Sequence, residues 1–182
     1  MKYIIIVIIM MVLTSASCKK TSTQEQLPPE THEGKFTFGC KVDGKIYTAS
    51  GKGGILSFDH VYFNLIPADS SVNIGAGTTS STKNRFNVFF NIKYLGKTGS
   101  YLMKTFPYEG KFYDNSNGTI PGFSNTYTTT DNYLGKIEIK YFDGSSIPFN
   151  KGTVLAGTFE MEGINGDGKV IHITEGRFDI GQ

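Results

Sequence analysis

Past residue 33 the chain alternates between apolar and polar positions with a period of two. Phe36, Phe38, Cys40 and Val42 share one face of "KFTFGCKV", and Phe86, Val88, Phe90, Ile92 and Tyr94 share one face of "RFNVFFNIKY". Shorter sets recur at Val61, Phe63 and Leu65, and at Val72, Ile74 and Ala76. Ile137, Ile139 and Tyr141 oppose Lys136, Glu138 and Lys140, while Leu155, Phe159 and Met161 oppose Thr158, Glu160 and Glu162. This is the signature of half-buried strands. No stretch past residue 18 keeps a helical period for three turns. Asp43-Gly44 between two such runs predicts a two-residue hairpin turn. "NGDG", Asn165 to Gly168, predicts another turn. In the last run Ile171 and Ile173 are out of phase with Phe178 and Ile180. One extra residue near Glu175-Gly176 restores the phase, so a β-bulge is expected there. The expectation is an all-β fold, an antiparallel meander forming a sandwich, with a closed or partly open β-barrel as the alternative.

The N-terminus has a different pattern. Lys2 precedes ten apolar residues, Ile4 to Leu13, and then Thr14, Ser15, Ala16, Ser17 and Cys18. Ten helical residues rise about 15 Å, half a bilayer core, so the run fits a signal peptide and not a span. A cysteine just past small residues resembles the lipobox of bacterial lipoproteins, with Ser15 where leucine is usual. That resemblance implies removal of residues 1–17 and acylation at Cys18, and two or more chains anchor stably. Residues 18–33, "CKKTSTQEQLPPETHE", are polar with a Pro-Pro pair and read as a lipidated, flexible tether. Residues 34–182 form a single β-domain. Lys19 and Lys20 stand where surface-exported lipoproteins tend to carry acidic residues. The expected address is therefore the outer membrane facing the periplasm, with the cell surface as the alternative.

Composition narrows the partners. With 18 basic and 16 acidic residues, scattered and without a basic stripe, nothing points to nucleic acid. Cys18 and Cys40 are the two cysteines. A lipid on Cys18 leaves Cys40 a lone thiol, and its place on an apolar strand face makes it a buried, inert one.

"GKFTFGCKVDGKIYTA", "LGKIEIKYFD" and "LAGTFEMEGINGDGKVIHITEGRFDI" together resemble a family of small Bacteroidota lipoproteins of unknown function. The resemblance runs from about Gly34 to Ile180. It implies the same address and a β-fold, and carries no catalytic residues onto this chain.

Catalytic and metal chemistry finds little footing. His32, His60 and His172 have no metal-ligand spacing. Aligning Gly168 with the invariant glycine of a calcium loop puts Gly163 and Thr174 at two key ligand positions. Glu160 and Glu162 face the same way on a strand, as a solvated face requires. No cofactor is expected. Residues 104–132 stand out, with Phe106, Tyr108, Phe112, Tyr113, Phe123 and Tyr127 among Asp114, Asn115, Asn117, Asn125 and Asp131. Rings beside amides suit a glycan or peptide, and Tyr108, Phe112, Tyr113, Asn115 and Tyr127 are the candidate binding residues. The bland reading is a loop pinned to the sheet by its own rings. The expected function is a non-enzymatic envelope lipoprotein, attached to the membrane through Cys18, that binds an envelope protein or glycan. The alternatives are a small-ligand or glycan carrier and an enzyme of unrecognised type.

Overall fold

The structure, a computed structural model, describes residues 26–53, 59–66, 71–80, 84–93, 97–104, 109–115, 125–143 and 152–181. The signal, Cys18, Tyr94 and Tyr108 lie outside them. Eleven strands follow in order: β1 (Thr37–Val42), β2 (Lys45–Ser50), β3 (Asp59–Ile66), β4 (Ser71–Thr78), β5 (Phe86–Ile92), β6 (Gly99–Met103), β7 (Glu109–Asp114), β8 (Thr126–Thr128), β9 (Gly135–Phe142), β10 (Val154–Ile164) and β11 (Val170–Gly181).

All pair antiparallel in one sheet, ordered β2-β1-β11-β10-β8-β7-β5-β4-β3, with β9 and β6 branching from β10. The two ends of that path return to each other. The Gly51 carbonyl, just past β2, accepts from the Val61 N–H of β3 at 3.0 Å. The sheet is therefore a nearly closed barrel around one core, the alternative arrangement and not the sandwich. One edge of β10 pairs with β11 throughout. The other is shared between β9, over Leu155–Met161, and β8, at Ile164. Residues 129–134 leave the sheet between β8 and β9. There the Thr130 N–H donates to the Tyr133 carbonyl (2.8 Å), and Glu162 N–H holds the Leu134 carbonyl (2.9 Å) where the chain returns.

The turn chemistry is as read. Asp43 and Gly44 have φ of +48° and +82°, the left-handed pair that matches strand twist in a two-residue hairpin. Asn165 closes its turn by accepting the N–H of Asp167 (3.1 Å) and of Lys169 (2.8 Å). The bulge falls at Glu175, with φ +52°. Gly39 faces Arg177 while Lys41 faces Thr174, and on the other side Phe159 faces Gly176 while Met161 faces Ile173. The extra residue turns Ile171, Ile173, Phe178 and Ile180 all inward.

A second bulge went unread. Ala156 faces Tyr141 but Gly157 faces Ile139, so Lys140 is an extra residue in β9. Tyr141, expected beside Ile137 and Ile139, is instead turned outward. There it stacks on His32, with ring centroids 5.0 Å apart.

Aromatic rings fill the interior. Phe159 lies 5.2 Å from Phe38 and 4.7 Å from Phe90, and Phe86 lies 6.0 Å from Phe112. All five are buried. Stacked and tilted rings at these distances add to the area they remove from water.

Candidate functional site

Residues 104–132 were read as one aromatic loop. They contain β7 and β8, and the alternation of a strand divides the candidate residues. Phe112 and Tyr127 face each other across β7 and β8 and point inward. They are 1 % and 5 % exposed, so they are core residues and offer no ring face to a ligand. Tyr113, the next residue on β7, faces outward and is half-buried. Asn115 closes β7, its N–H on the Arg85 carbonyl (3.0 Å) and its Oδ1 buried without a donor. The five residues named from sequence therefore do not converge: two lie inside, one lies outside, one ends a strand, and Tyr108 is not among the described residues.

Around Phe112 and Tyr127 the barrel end is a shallow depression of about 280 Å³ lined by Asp43, Lys45, Tyr47, Asp114 and Lys169. The Tyr47 ring stands edge-on to Phe112 at 5.3 Å, with the Lys45 ammonium 5.3 Å from its centroid. Burial, then the charges of Asp114 and Asp43, push the Tyr47 hydroxyl pKa up, so it stays a hydrogen-bond donor. Asp43 is engaged in holding the hairpin to β11, accepting the His172 N–H at 2.9 Å. Two cations, Lys45 and Lys169, and two carboxylates, Asp43 and Asp114, balance one another here.

On the outer face of β9, β10 and β11, Glu30, Lys136, Glu138, Glu160, Glu175 and Arg177 line an open depression of about 290 Å³, with Glu30 held by Lys140 and Glu175 by Lys41. Cys40 is fully buried, and burial pushes its thiol pKa up, away from the thiolate a nucleophile needs. His32 stacks on Tyr141, His60 stacks on Tyr62, and His172 Nδ1 sits 3.3 Å from Glu162. Among the described residues no three His, Cys, Asp or Glu side chains gather as a metal site would require.

Asp179 is the buried charge that sequence reading missed. Its side chain lies on the outer face of β11, yet it is 1 % exposed because residues 31–34 cover it. The carboxylate accepts from Thr31 Oγ1 (2.5 Å) and from the N–H groups of Glu33 (3.0 Å) and Gly34 (2.7 Å). Burial raises its pKa, but those bonds, with the Lys35 N–H, outweigh burial and hold the carboxyl below its ordinary value. Lys140 reaches Glu30 at 2.7 Å and Arg177 donates to the Pro28 carbonyl at 3.4 Å. Residues 26–33, assigned to the tether by their composition, thus form a strap docked on the barrel.

No family model, no curated protein and no solved structure matches the chain.

Proposed function

We propose that the protein is a non-enzymatic lipoprotein of the cell envelope, anchored through lipid on Cys18, whose barrel binds an envelope partner on its outer surface. The ring-filled interior carries this reading. Phe38, Phe86, Phe90, Phe112 and Phe159 occupy the space that a carrier would leave for cargo, so recognition falls to the outside. The buried state of Cys40 and the dispersed histidines favour binding over catalysis. Lys19 and Lys20 favour the periplasmic face of the outer membrane. The strap adds a spatial consequence. With residues from Gln26 onward docked, the eight residues from Cys18 to Glu25 reach about 28 Å at full extension, which keeps the barrel close to the lipid surface.

The test is Cys18→Ala with cell fractionation and radiolabelled palmitate. The parent is expected in the outer-membrane fraction carrying label, and the variant unlabelled and released from that membrane. A variant that stays in the outer membrane as the parent does would overturn the anchor.

A further inference from the structure

The outer face of β3, β4, β5 and β7 is a grid of three rungs. Register aligns His60, Gly77, Asn87 and Tyr113 in the first rung and Tyr62, Gly75, Phe89 and Lys111 in the second. Asn64, Asn73, Asn91 and Glu109 form the third. The two glycines are the floor. A Cβ on Gly75 would overlap the Tyr62 ring, and one on Gly77 would overlap the His60 ring and the Asn87 amide. The rings of β3 therefore lie down across β4, near-parallel at 28° with centroids 6.2 Å apart. Covering bare glycine backbone with an aromatic ring stabilises a sheet, and that accounts for the rings lying flat.

Three features go beyond that. Tyr62 keeps 43 % of its surface in water, a large exposure for an aromatic ring on a sheet. The rung beside it carries three amides, where Asn91 Nδ2 donates to Asn73 Oδ1 at 2.9 Å while Asn91 Oδ1 is buried with no donor. Asn64, in the same rung, is exposed and turns its amide to the surface. Charge is also neutral here, since Lys111 and Glu109 pair at 2.9 Å.

We infer that this face is a binding platform for a neutral oligosaccharide. The inference rests on the reading of the barrel as an outer-surface binder. A sugar ring presents C–H groups on its faces and hydroxyls at its rim. The C–H groups suit the electron-rich face of Tyr62 and the nearby Phe89. The hydroxyls suit amides, which both donate and accept, and Asn64 presents one at the surface. Within the three rungs Lys111 is paired, so the grid itself presents no lone cation to a phosphate or an acidic glycan. Rungs two residues apart span about 14 Å in total, room for a short oligosaccharide.

The experiment is calorimetric titration of the full-length protein, in lauryldimethylamine oxide to avoid a sugar headgroup. The probes are cellohexaose, maltohexaose, mannohexaose and N-acetylchitohexaose, with polygalacturonate and casein peptides as contrasts. Binding to at least one neutral probe is expected. It should weaken by about tenfold in Tyr62→Ala and in Phe89→Ala, and persist in Tyr62→Phe. Asn64→Ala guards against a folding artefact, because its side chain is exposed. It should lose affinity while keeping the parent melting temperature. Failure of all four neutral probes, parent affinity in both Tyr62→Ala and Asn64→Ala, or preference for polygalacturonate or casein peptides would overturn the platform. Membrane fractionation reads the anchor separately, so a failed titration with intact anchoring sinks the platform alone.

Discussion

The barrel has two outer faces built on one interior rule. Over β9, β10 and β11 the outward positions carry complementary charges. Lys136 faces Glu160 across the ladder, Glu162 faces His172, and Lys41 reaches Glu175 at 2.5 Å. Over β3, β4, β5 and β7 the outward positions carry rings, glycines and amides, with one ion pair, Lys111 and Glu109, at the β7 edge. Inward positions on both sides are equally apolar, from Ile137 and Phe159 to Ile74 and Phe90. Burial thus fixes one half of every strand, and the free half records what each face meets. Paired charges suit water and the docked strap. A face of balanced charge with an exposed tyrosine ring is poorly explained by solvation alone.

The shared core is where the two faces should behave alike, and where the largest effects lie. Phe38 backs the strap side and Phe90 the platform side, both fully buried and both close to Phe159. Either change to Ala should cost about 3–5 kcal/mol, read from urea midpoints. A loss well below that on one side alone would break the claim of a single core.

The strap separates the faces. Asp179→Ala removes the acceptor for Thr31, Glu33, Gly34 and Lys35 and leaves their hydroxyl and N–H groups to find water. The expected loss is about 1–3 kcal/mol, with oligosaccharide affinity unchanged. The pH dependence has a definite sign. The folded carboxyl has the lower pKa, so its contribution is present above the unfolded value and disappears as pH falls through the folded one. Urea midpoints taken from pH 7 down to pH 2 should therefore fall more steeply for the parent than for the variant, the curves converging at the acid end. Parallel curves would show that Asp179 does not hold the strap as a carboxylate.

How much of this was legible in the chain follows from the range of each signal. The Glu175 bulge was readable because a broken phase between Ile173 and Phe178 is a local feature. The Asp43-Gly44 hairpin was readable for the same reason. The Lys140 bulge was not, because Tyr141 continues the alternation of Ile137 and Ile139 and only pairing with Ala156 and Gly157 reveals the extra residue. Phe112 and Tyr127 were grouped with Tyr113 by composition, which ignores the face a strand assigns. The platform needs two strand registers before Tyr62, Gly75 and Phe89 become neighbours. In "SVNIGAGT" the apolar half announces a strand, while Asn73, Gly75 and Gly77 on the other half carry no local signal of their own. The strap was hidden by its polar, proline-containing composition. Its partner Asp179 lies 148 residues from Thr31 along the chain.

The smallest effect expected is at the exposed ion pair of the strap, and it decides what charge does on that face. Lys140 and Glu30 sit 2.7 Å apart, but their side chains are 46 % and 50 % exposed. Water screens such a pair, and ordering two long side chains offsets most of the attraction. The Lys140 hydrogen bond lowers the Glu30 pKa, which shows contact without implying much stability. Lys140→Ala should therefore change stability by less than about 1 kcal/mol. Whatever difference remains should shrink as salt is raised from 0.01 M to 1 M, where the screening length falls from about 30 Å to about 3 Å. In the Asp179→Ala background the strap loses its buried anchor, and the same Lys140→Ala change should then cost still less. A loss as large as that of Asp179→Ala, insensitive to salt, would mean that the charged face holds the strap through its surface pairs. The contrast between a face that is merely solvated and a face built to bind would then have to be redrawn.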